Sequence, residues 1–308
     1  MKKAFVSAAT IAAALSAGSA FAADLPNRKE PAYIPPPPPP IWTGFYVGLN
    51  AGGTFDAGGS DYISTGSVFV DHTVTSPATA AAAAAAGTGL VDTNNGGFIG
   101  GGQVGYNYQF GAGGWNAWVV GLEADIQGVA ASTSTSNLAT GAPFTPFYGI
   151  VGTAQVTKSL DYIGTVRGRI GWLGTPTLLL YGTGGLAYGG VNSSTSMVQG
   201  ITPLLATVTP NAWGGAGSYS DTRVGWTVGG GLEWMFMPNW SAKVEYLYYD
   251  LGSATYGGGL TSTFIAATGA PIFLNATATS VRYNGHILHA GLNYHFNWLA
   301  PAPVLSKY

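Results

Sequence analysis

The feature that most limits what this chain can fold into is a repeated alternation. From Trp42 onward, eight segments rich in Gly, aromatic and β-branched residues lie at roughly 42–55, 96–110, 115–130, 158–173, 177–191, 221–236, 240–251 and 280–296. Most of them alternate apolar and polar residues with period two, the signature of strands with two different faces. The connections alternate as well. Residues 57–95, 131–157, 192–220 and 252–279 are long and rich in Gly, Ser, Thr and Ala, whereas 111–114, 174–176 and 237–239 are tight turns. Four long and three short connections put both chain ends on the short-turn side. This is the pattern of an all-β, eight-stranded antiparallel up-and-down transmembrane β-barrel with short periplasmic turns and four long external loops. Loops of this length would be out of place inside a compact soluble domain.

Composition supports an apolar outer surface. Charged residues make up 8% of the 308-residue chain, against roughly 25% in soluble domains. No run after the N-terminus approaches the ~18 apolar residues of a membrane-spanning helix. Lys plus Arg number 11 against 13 Asp plus Glu, which leaves no basic field and argues against a nucleic-acid partner. Cysteine is absent, so neither disulfides nor thiolate-bound metal enter the fold.

Alternation assigns the faces. In the third segment Trp118, Val120, Leu122, Ala124 and Ile126 share one side, and Gly121, Glu123, Asp125 and Gln127 the other. The fourth sets Tyr162, Val166, Ile170 and Trp172 against Asp161, Thr165, Arg167 and Arg169. Glu233 in the sixth and Lys243 and Glu245 in the seventh fall on the same polar side, as do His289 and His295 in the last. An eight-stranded barrel is about wide enough inside for side chains alone. Glu123, Asp125, Asp161, Arg167, Arg169, Glu233, Lys243 and Glu245 are therefore expected to form an interior ion network, because an unpaired buried charge costs several kcal/mol. The network reads as a static plug; a gate in which Arg167 or Arg169 changes acidic partner is the alternative. Trp42, Trp115, Trp118, Trp172, Trp234, Trp240 and Trp298, with Phe296, lie at strand ends beside short turns or termini. They are expected to form a periplasmic aromatic girdle.

Residues 1–22 read as a secretory signal: Lys2 and Lys3, an apolar core from Phe5 to Leu15, and Ala20-Phe21-Ala22 before a cleavage point between Ala22 and Ala23. Residues 23–41, with the proline run Pro35 to Pro40, read as a stiff periplasmic linker. The barrel then occupies 42–296, and 297–308 is a C-terminal extension.

Other motifs carry little chemistry. Gly100-Gly-Gly-Gln-Val-Gly105 fits GxGxxG but sits inside an alternating strand and opens no helix. His286 and His289 are three apart in a strand and face opposite sides. His289 and His295 share a face but stand ~20 Å apart at ~3.3 Å per residue, so no metal site is read. His72 with Asp71, or His286 near Asp250, would be the candidates for lipid hydrolysis, yet neither adjoins a nucleophile motif. The run Ala80 to Ala86 has the propensity for a turn of helix but is too short to be stable alone. No catalytic residue and no cofactor is expected.

The stretches Trp42-Thr-Gly-Phe-Tyr-Val-Gly-Leu-Asn50 after a proline linker, Asp161-Tyr-Ile-Gly-Thr-Val-Arg-Gly-Arg-Ile-Gly171, Leu180-Tyr-Gly-Thr-Gly-Gly-Leu-Ala-Tyr188 and Gly291-Leu-Asn-Tyr-His-Phe296 resemble the small outer-membrane β-barrel family of alphaproteobacteria, the opacity-protein or RopB type. The resemblance implies an abundant integral protein of the cell outer membrane, in contact with outer-membrane lipid and lipopolysaccharide and delivered by the insertion machinery. That machinery is thought to read the closing aromatic of the last strand, here Phe296, although twelve residues follow it. A structural role, a narrow pore for small solutes, and capture of a host or surface ligand by the loops are the three readings carried forward.

Overall fold

A computed structural model describes residues 42–69, 77–93, 96–111, 117–130, 134–143, 145–146, 148–203, 212–264 and 271–296. The signal, its Ala22–Ala23 cleavage point, the linker, the C-terminal extension, Trp115, Trp298 and the His72–Asp71 pair lie outside the described residues.

The described residues form eleven strands: β1 (Gly44–Asp56), β2 (Ser60–Phe69), β3 (Gly89–Asp92), β4 (Gly96–Phe110), β5 (Trp118–Ala130), β6 (Ser134–Pro143), β7 (Tyr148–Thr175), β8 (Leu178–Pro203), β9 (Ala212–Met237), β10 (Trp240–Phe264) and β11 (Pro271–Phe296), with one helix, α1 (Pro77–Ala86). Eight of the strands form the barrel, hydrogen-bonded in the order β1-β4-β5-β7-β8-β9-β10-β11. β1 closes the ring on β11 in an unbroken antiparallel register from Phe45↔Phe296 to Asp56↔Gly285. The remaining three strands lie above this ring. β2 pairs the outer part of β11 and carries β3, while β6 pairs the outer part of β7.

The outward face follows from the alternation. Leu49, Val104, Leu122, Val166, Leu186 and Leu288 on six strands are all exposed, so the lower barrel wears a continuous apolar belt. Higher up, the outward positions become small and polar: Thr153 and Gln155 on β7, Ser194 and Ser196 on β8, Ser218 and Ser220 on β9. An apolar wall ending in a polar one is what a chain needs to pass from lipid into water.

Strand length departs from the sequence expectation. A membrane crossing needs about ten residues, yet β7 has 28 and β8, β9 and β11 have 26 each. Most of the stretches 131–157, 192–220 and 252–279 are thus strand rather than loop. They keep the period-two pattern in muted form, with Ala154, Val156, Met197, Ala254 and Tyr256 packed inside against Thr and Ser outside. Low hydropathy hid the alternation, because the outward half of each strand is small and polar. β1, β4 and β5 stop near the top of the apolar belt, and β2, β3 and β6 take their places as staves. β3 and β6 meet through side chains instead of a backbone ladder: Ser136 Oγ donates to Asp92 O at 2.5 Å and Leu138 packs on Gly89.

The Ala-rich segment is a helix because the barrel mouth receives it. α1 buries Ala82, Ala83 and Ala86 against Ile150 and Trp213. Gln199 Nε2 donates to Ala83 O at 2.7 Å, and Trp213 Nε1 donates to Gln199 Oε1 at 3.1 Å. Tertiary contact supplies what ten residues lack by themselves.

Tight curvature is allowed where the inward residue is Gly. A Cβ on Gly52 would lie 2.1 Å from Leu288 O and 2.5 Å from His289 Cα, on the partner strand that closes the ring. By contrast, a Cβ on Gly100 would have its nearest neighbour at 3.5 Å. Gly52→Ala is therefore expected to block closure, so that unboiled protein runs on a gel with the mobility of boiled chain. Gly100→Ala should keep the mobility of the folded barrel; equal behaviour of the two variants would refute this account of the closing strand.

Candidate functional site

The interior divides into layers. At the periplasmic end Trp42, Ala117, Val119, Leu173, Leu179, Tyr181 and Met235 form an apolar floor. Trp42 is a correction to the expected girdle. It is fully buried, its backbone N bonded to Gln109 Oε1 and its indole Nε1 donating to Pro176 O, both at 3.0 Å. The residue shares the parity of buried Tyr46, Asn50 and Thr54, so alternation turns it inward, and the open barrel end gives its ring an apolar socket. Trp118, Trp172, Trp234 and Trp240 do face outward. Trp118 lies opposite Trp172 in the β5–β7 register, and Trp240 meets Tyr294 and Tyr294 meets Phe296 with ring centroids at 5.2 and 5.1 Å.

Above the floor lies a charged layer. Arg167 on β7 binds three carboxylates: its Nη2 reaches Glu123 at 2.6 Å and Asp125 at 2.8 Å, and its Nη1 reaches Glu245 at 2.8 Å. Arg169 Nη2 pairs Glu233 at 2.7 Å, its Nη1 lies 3.4 Å from Glu123, and its guanidinium rests 4.6 Å from the Tyr181 ring. Lys243 Nζ reaches Glu123 at 2.8 Å and Glu245 at 3.6 Å. Glu123 is on β5 and Lys243 on β10, four staves apart in a ring of eight, so this pair spans the full diameter. Tyr46 on β1 donates to Glu123 Oε2 at 2.6 Å from a further stave.

Both interior histidines serve carboxylates. Gln127 Nε2 lies 3.1 Å from His289 Nδ1, and His289 Nε2 lies 2.7 Å from Glu245. That arrangement sets the tautomer with the proton on Nε2. His295 Nε2 lies 2.8 Å from Ser241 Oγ, which in turn donates to Glu233 Oε1 at 2.5 Å. Asn293 Nδ2 donates to Glu233 Oε1 at 2.7 Å. The carboxylates are thus hydrogen-bonded as well as paired, which offsets part of their desolvation, while Nε of Arg167 and of Arg169 has no hydrogen-bond partner.

Asp161 is not part of this layer. It is exposed and accepts a 2.7 Å bond from Asn192 Nδ2. The register slips between Leu160 and Tyr162, where one extra residue is accommodated. Such a bulge reverses the parity of everything beyond it. It turns Asp161 out and brings in Lys158, which unbroken alternation places on the lipid side. Lys158 is buried, paired with Asp56 at 3.1 Å, and donates to Arg282 O at 2.6 Å. Asp61 Oδ1 accepts from Arg282 N at 3.1 Å. The two charged side chains fill the gap in the ladder along β11 between Gly285, paired to β1, and Ser280, paired to β2. Burial pushes the Asp61 carboxyl above its ordinary value, against the opposing pull of the Thr93 hydroxyl and of Lys158. The one sequence signal for this junction is Lys158 itself, the single charged residue between Asp125 and Asp161.

Between the junction and the charged layer Ile99, Ile163, Leu247, Ile287 and Tyr249 pack together, and Val281 belongs to the same cluster; higher up, buried Ser193, Thr195, Gln199 and Asn275 line the interior as well. The glycine run Gly100–Gly105 lies within β4, with Gln103 buried inside and Val104 exposed outside. His286 shares a 2.7 Å bond with Tyr246, and Asp250 is held by Arg282 at 2.6 Å, so those two residues form no acid–base pair.

Glu123 touches Arg167, Arg169, Lys243 and Tyr46 at once, so Glu123→Ala leaves several buried charges short of a partner. It is expected to cost about 3–5 kcal/mol, read as a lower urea midpoint for the barrel in detergent. The double variant Glu123→Ala with Lys243→Ala should lose less than the sum of the single losses, since the sites share partners. Additive losses would contradict a shared network.

Residues 10–296 match the family described as outer membrane protein beta-barrel domain. The chain is 33% identical over 295 residues to the 31 kDa outer-membrane immunogenic protein of Brucella melitensis, covering 92% of this chain and 96% of that protein. It is also 31% identical to the 22 kDa outer membrane protein of Rhizobium leguminosarum bv. viciae, over 51% of this chain and 54% of that one. Among solved structures, the N-terminal β-barrel domain of Pseudomonas aeruginosa OprF is 11% identical with a TM-score of 0.31, covering 82% of this chain and 97% of that one. The protein belongs to the outer-membrane β-barrel family, among the small barrels of alphaproteobacteria, and is an integral protein of the bacterial outer membrane.

Proposed function

We propose that this protein is a non-catalytic structural barrel whose sealed interior holds the wall rigid and whose extended outer staves carry the connecting segments clear of the membrane. The observation that carries this reading is the Lys243–Glu123 pair across the full diameter, with Arg167 tying the same carboxylate to Glu245. A solute path through the axis would have to separate charges at 2.6–2.8 Å in a layer bounded by apolar side chains above and below. The three bound carboxylates of Arg167 leave it no vacant acidic partner in this layer to swing to, which favours the plug over the gate. Purified barrel in a planar lipid bilayer is expected to show no sustained conductance steps, and Lys243→Ala is expected to raise brief openings at most. Stable, ohmic openings of the native protein would reverse the assignment in favour of a pore.

The same reading includes export and processing. Cleavage after Ala22, a proline tether over 23–41 and a barrel from 42 to 296 account for the composition of each stretch. Terminal sequencing of the protein from outer membranes should begin Ala-Asp-Leu; a mature chain that still starts at Met1 would exclude the signal.

A further inference from the structure

We infer that the outer rim of the barrel, where β9, β10 and β11 leave the apolar belt, binds the phosphate-bearing headgroup of an outer-leaflet lipid through Arg223 and Arg282. The inference rests on the outer-membrane reading and its orientation, with the chain ends on the periplasmic side.

The distribution of cations points there. The described residues contain six Lys and Arg side chains. Lys158, Arg167, Arg169 and Lys243 are buried inside against carboxylates. The other two meet at one place on the wall. Arg223 Nη2 donates to Ser253 O at 2.8 Å in an exposed bond, and Ser253 lies opposite Arg282 in the β10–β11 register. The Arg282 side chain is 59% exposed although its Nη2 is paired with Asp250. Arg282 commits Nη2 to Asp250 and carries its other N–H groups on an exposed side chain; Arg223 is half-buried and reaches Ser253 O with Nη2. A planar fork of donors suits phosphate oxygens better than any other lipid group.

The carboxylates at this height do not fill that role. Asp250 accepts from Gly252 N at 2.8 Å as well as from Arg282, across a bulge at which Gly252 has φ +77°. It orients Arg282 outward. Asp221 accepts from Tyr219 OH at 3.1 Å and from Thr222 N at 2.8 Å, and Asp161 accepts from Asn192.

The height is right for a headgroup. Along β11, Arg282 stands twelve residues beyond Tyr294 of the periplasmic girdle. At ~3.3 Å per residue and a tilt of ~40°, that is a rise of about 30 Å, just past an apolar band ~25 Å tall. Beneath Arg282 lies an aromatic shelf. Trp226, 49% exposed, has its ring 5.4 Å from Tyr248, and Tyr248 lies 5.4 Å from His286. Exposed Val228 and Leu288 follow below, where acyl chains would run. Cations at the phosphate level, flat rings at the interface and aliphatic groups beneath follow the polarity profile of one anionic lipid.

Brominated lipids test this directly. The full barrel is inserted into vesicles of phosphatidylcholine with an increasing share of either brominated phosphatidylcholine or brominated phosphatidylglycerol. The Trp226 contribution to fluorescence is taken as the difference from Trp226→Phe. Quenching at Trp226 should favour the anionic lipid about fivefold. Arg223→Gln with Arg282→Gln should bring the ratio to about one, and Arg282→Gln alone, at an exposed position, should lower it in between. Arg282→Lys should retain most of the preference. Equal quenching by both lipids in the native protein, or a ratio untouched in the arginine variants, overturns the site. Loss of the preference on adding excess inorganic phosphate at constant ionic strength assigns the site to free phosphate and overturns the lipid assignment. Failure of either brominated lipid to quench outward Trp234 and Trp240 would strike the membrane reading itself, which separates the two failures.

Discussion

Everything in this molecule hangs on the ladder between its first and last barrel strands. β1 and β11 are separated by most of the chain, yet they pair without interruption from Phe45↔Phe296 to Asp56↔Gly285. Lipid offers no hydrogen-bond partner to an open edge, so a sheet in the membrane must close or pair elsewhere. Closure brings Tyr46, Glu123, Arg167, Glu233, Lys243 and His289 to one level inside, and it makes the outward residues of eight strands into one belt. Neither the charged layer nor the belt exists in any single hairpin. Gly52 lets the closing strands approach, because its missing Cβ would occupy the space of the Leu288 carbonyl.

The filled interior has a consistent physical logic. Buried charges occupy the central layer, where each carboxylate has cationic and neutral donors around it, and the junction above, where Lys158 meets Asp56. The floor beneath and the packing above are apolar and exclude water from that layer. Low dielectric strengthens satisfied pairs and penalises broken ones in the same measure. The arrangement therefore favours a barrel with one interior packing over a set of interconverting ones. Specific outer-membrane roles must then be sought on the outside of the wall and at its extended rim.

The upper staves extend that logic beyond the membrane. Where β1, β4 and β5 end, β2, β3 and β6 substitute, and Asp61 and Lys158 complete the hydrogen bonding that the exchange interrupts at Arg282. α1 then closes the mouth over Ile150 and Trp213. An outer surface of Ser and Thr suits a segment surrounded by water and sugar in place of acyl chains.

The alternation of Trp118 to Ile126 against Glu123, Asp125 and Gln127 was readable from residue order alone, because in a strand the face is decided by parity and nothing else. So were the eight barrel strands, the end of the barrel at which β1 begins and β11 stops, and the inward placement of seven of the eight charges expected in the interior. Asp161 and Lys158 changed places because a single bulge resets parity, and a bulge is a property of the pairing between β7 and β8. Trp42 shares the inward parity of Tyr46 and Asn50, but a tryptophan at a strand end also fits a girdle, and the apolar socket of the closed barrel end decided between the two. The long outer staves escaped notice since Ser, Thr, Gly and Ala alternate with little hydropathy contrast, and their strand state comes from neighbours they pair with. Local chemistry determined which residues share a face; the closed cylinder alone decided which of those residues meet, since contacts across a lumen join positions far apart in the chain.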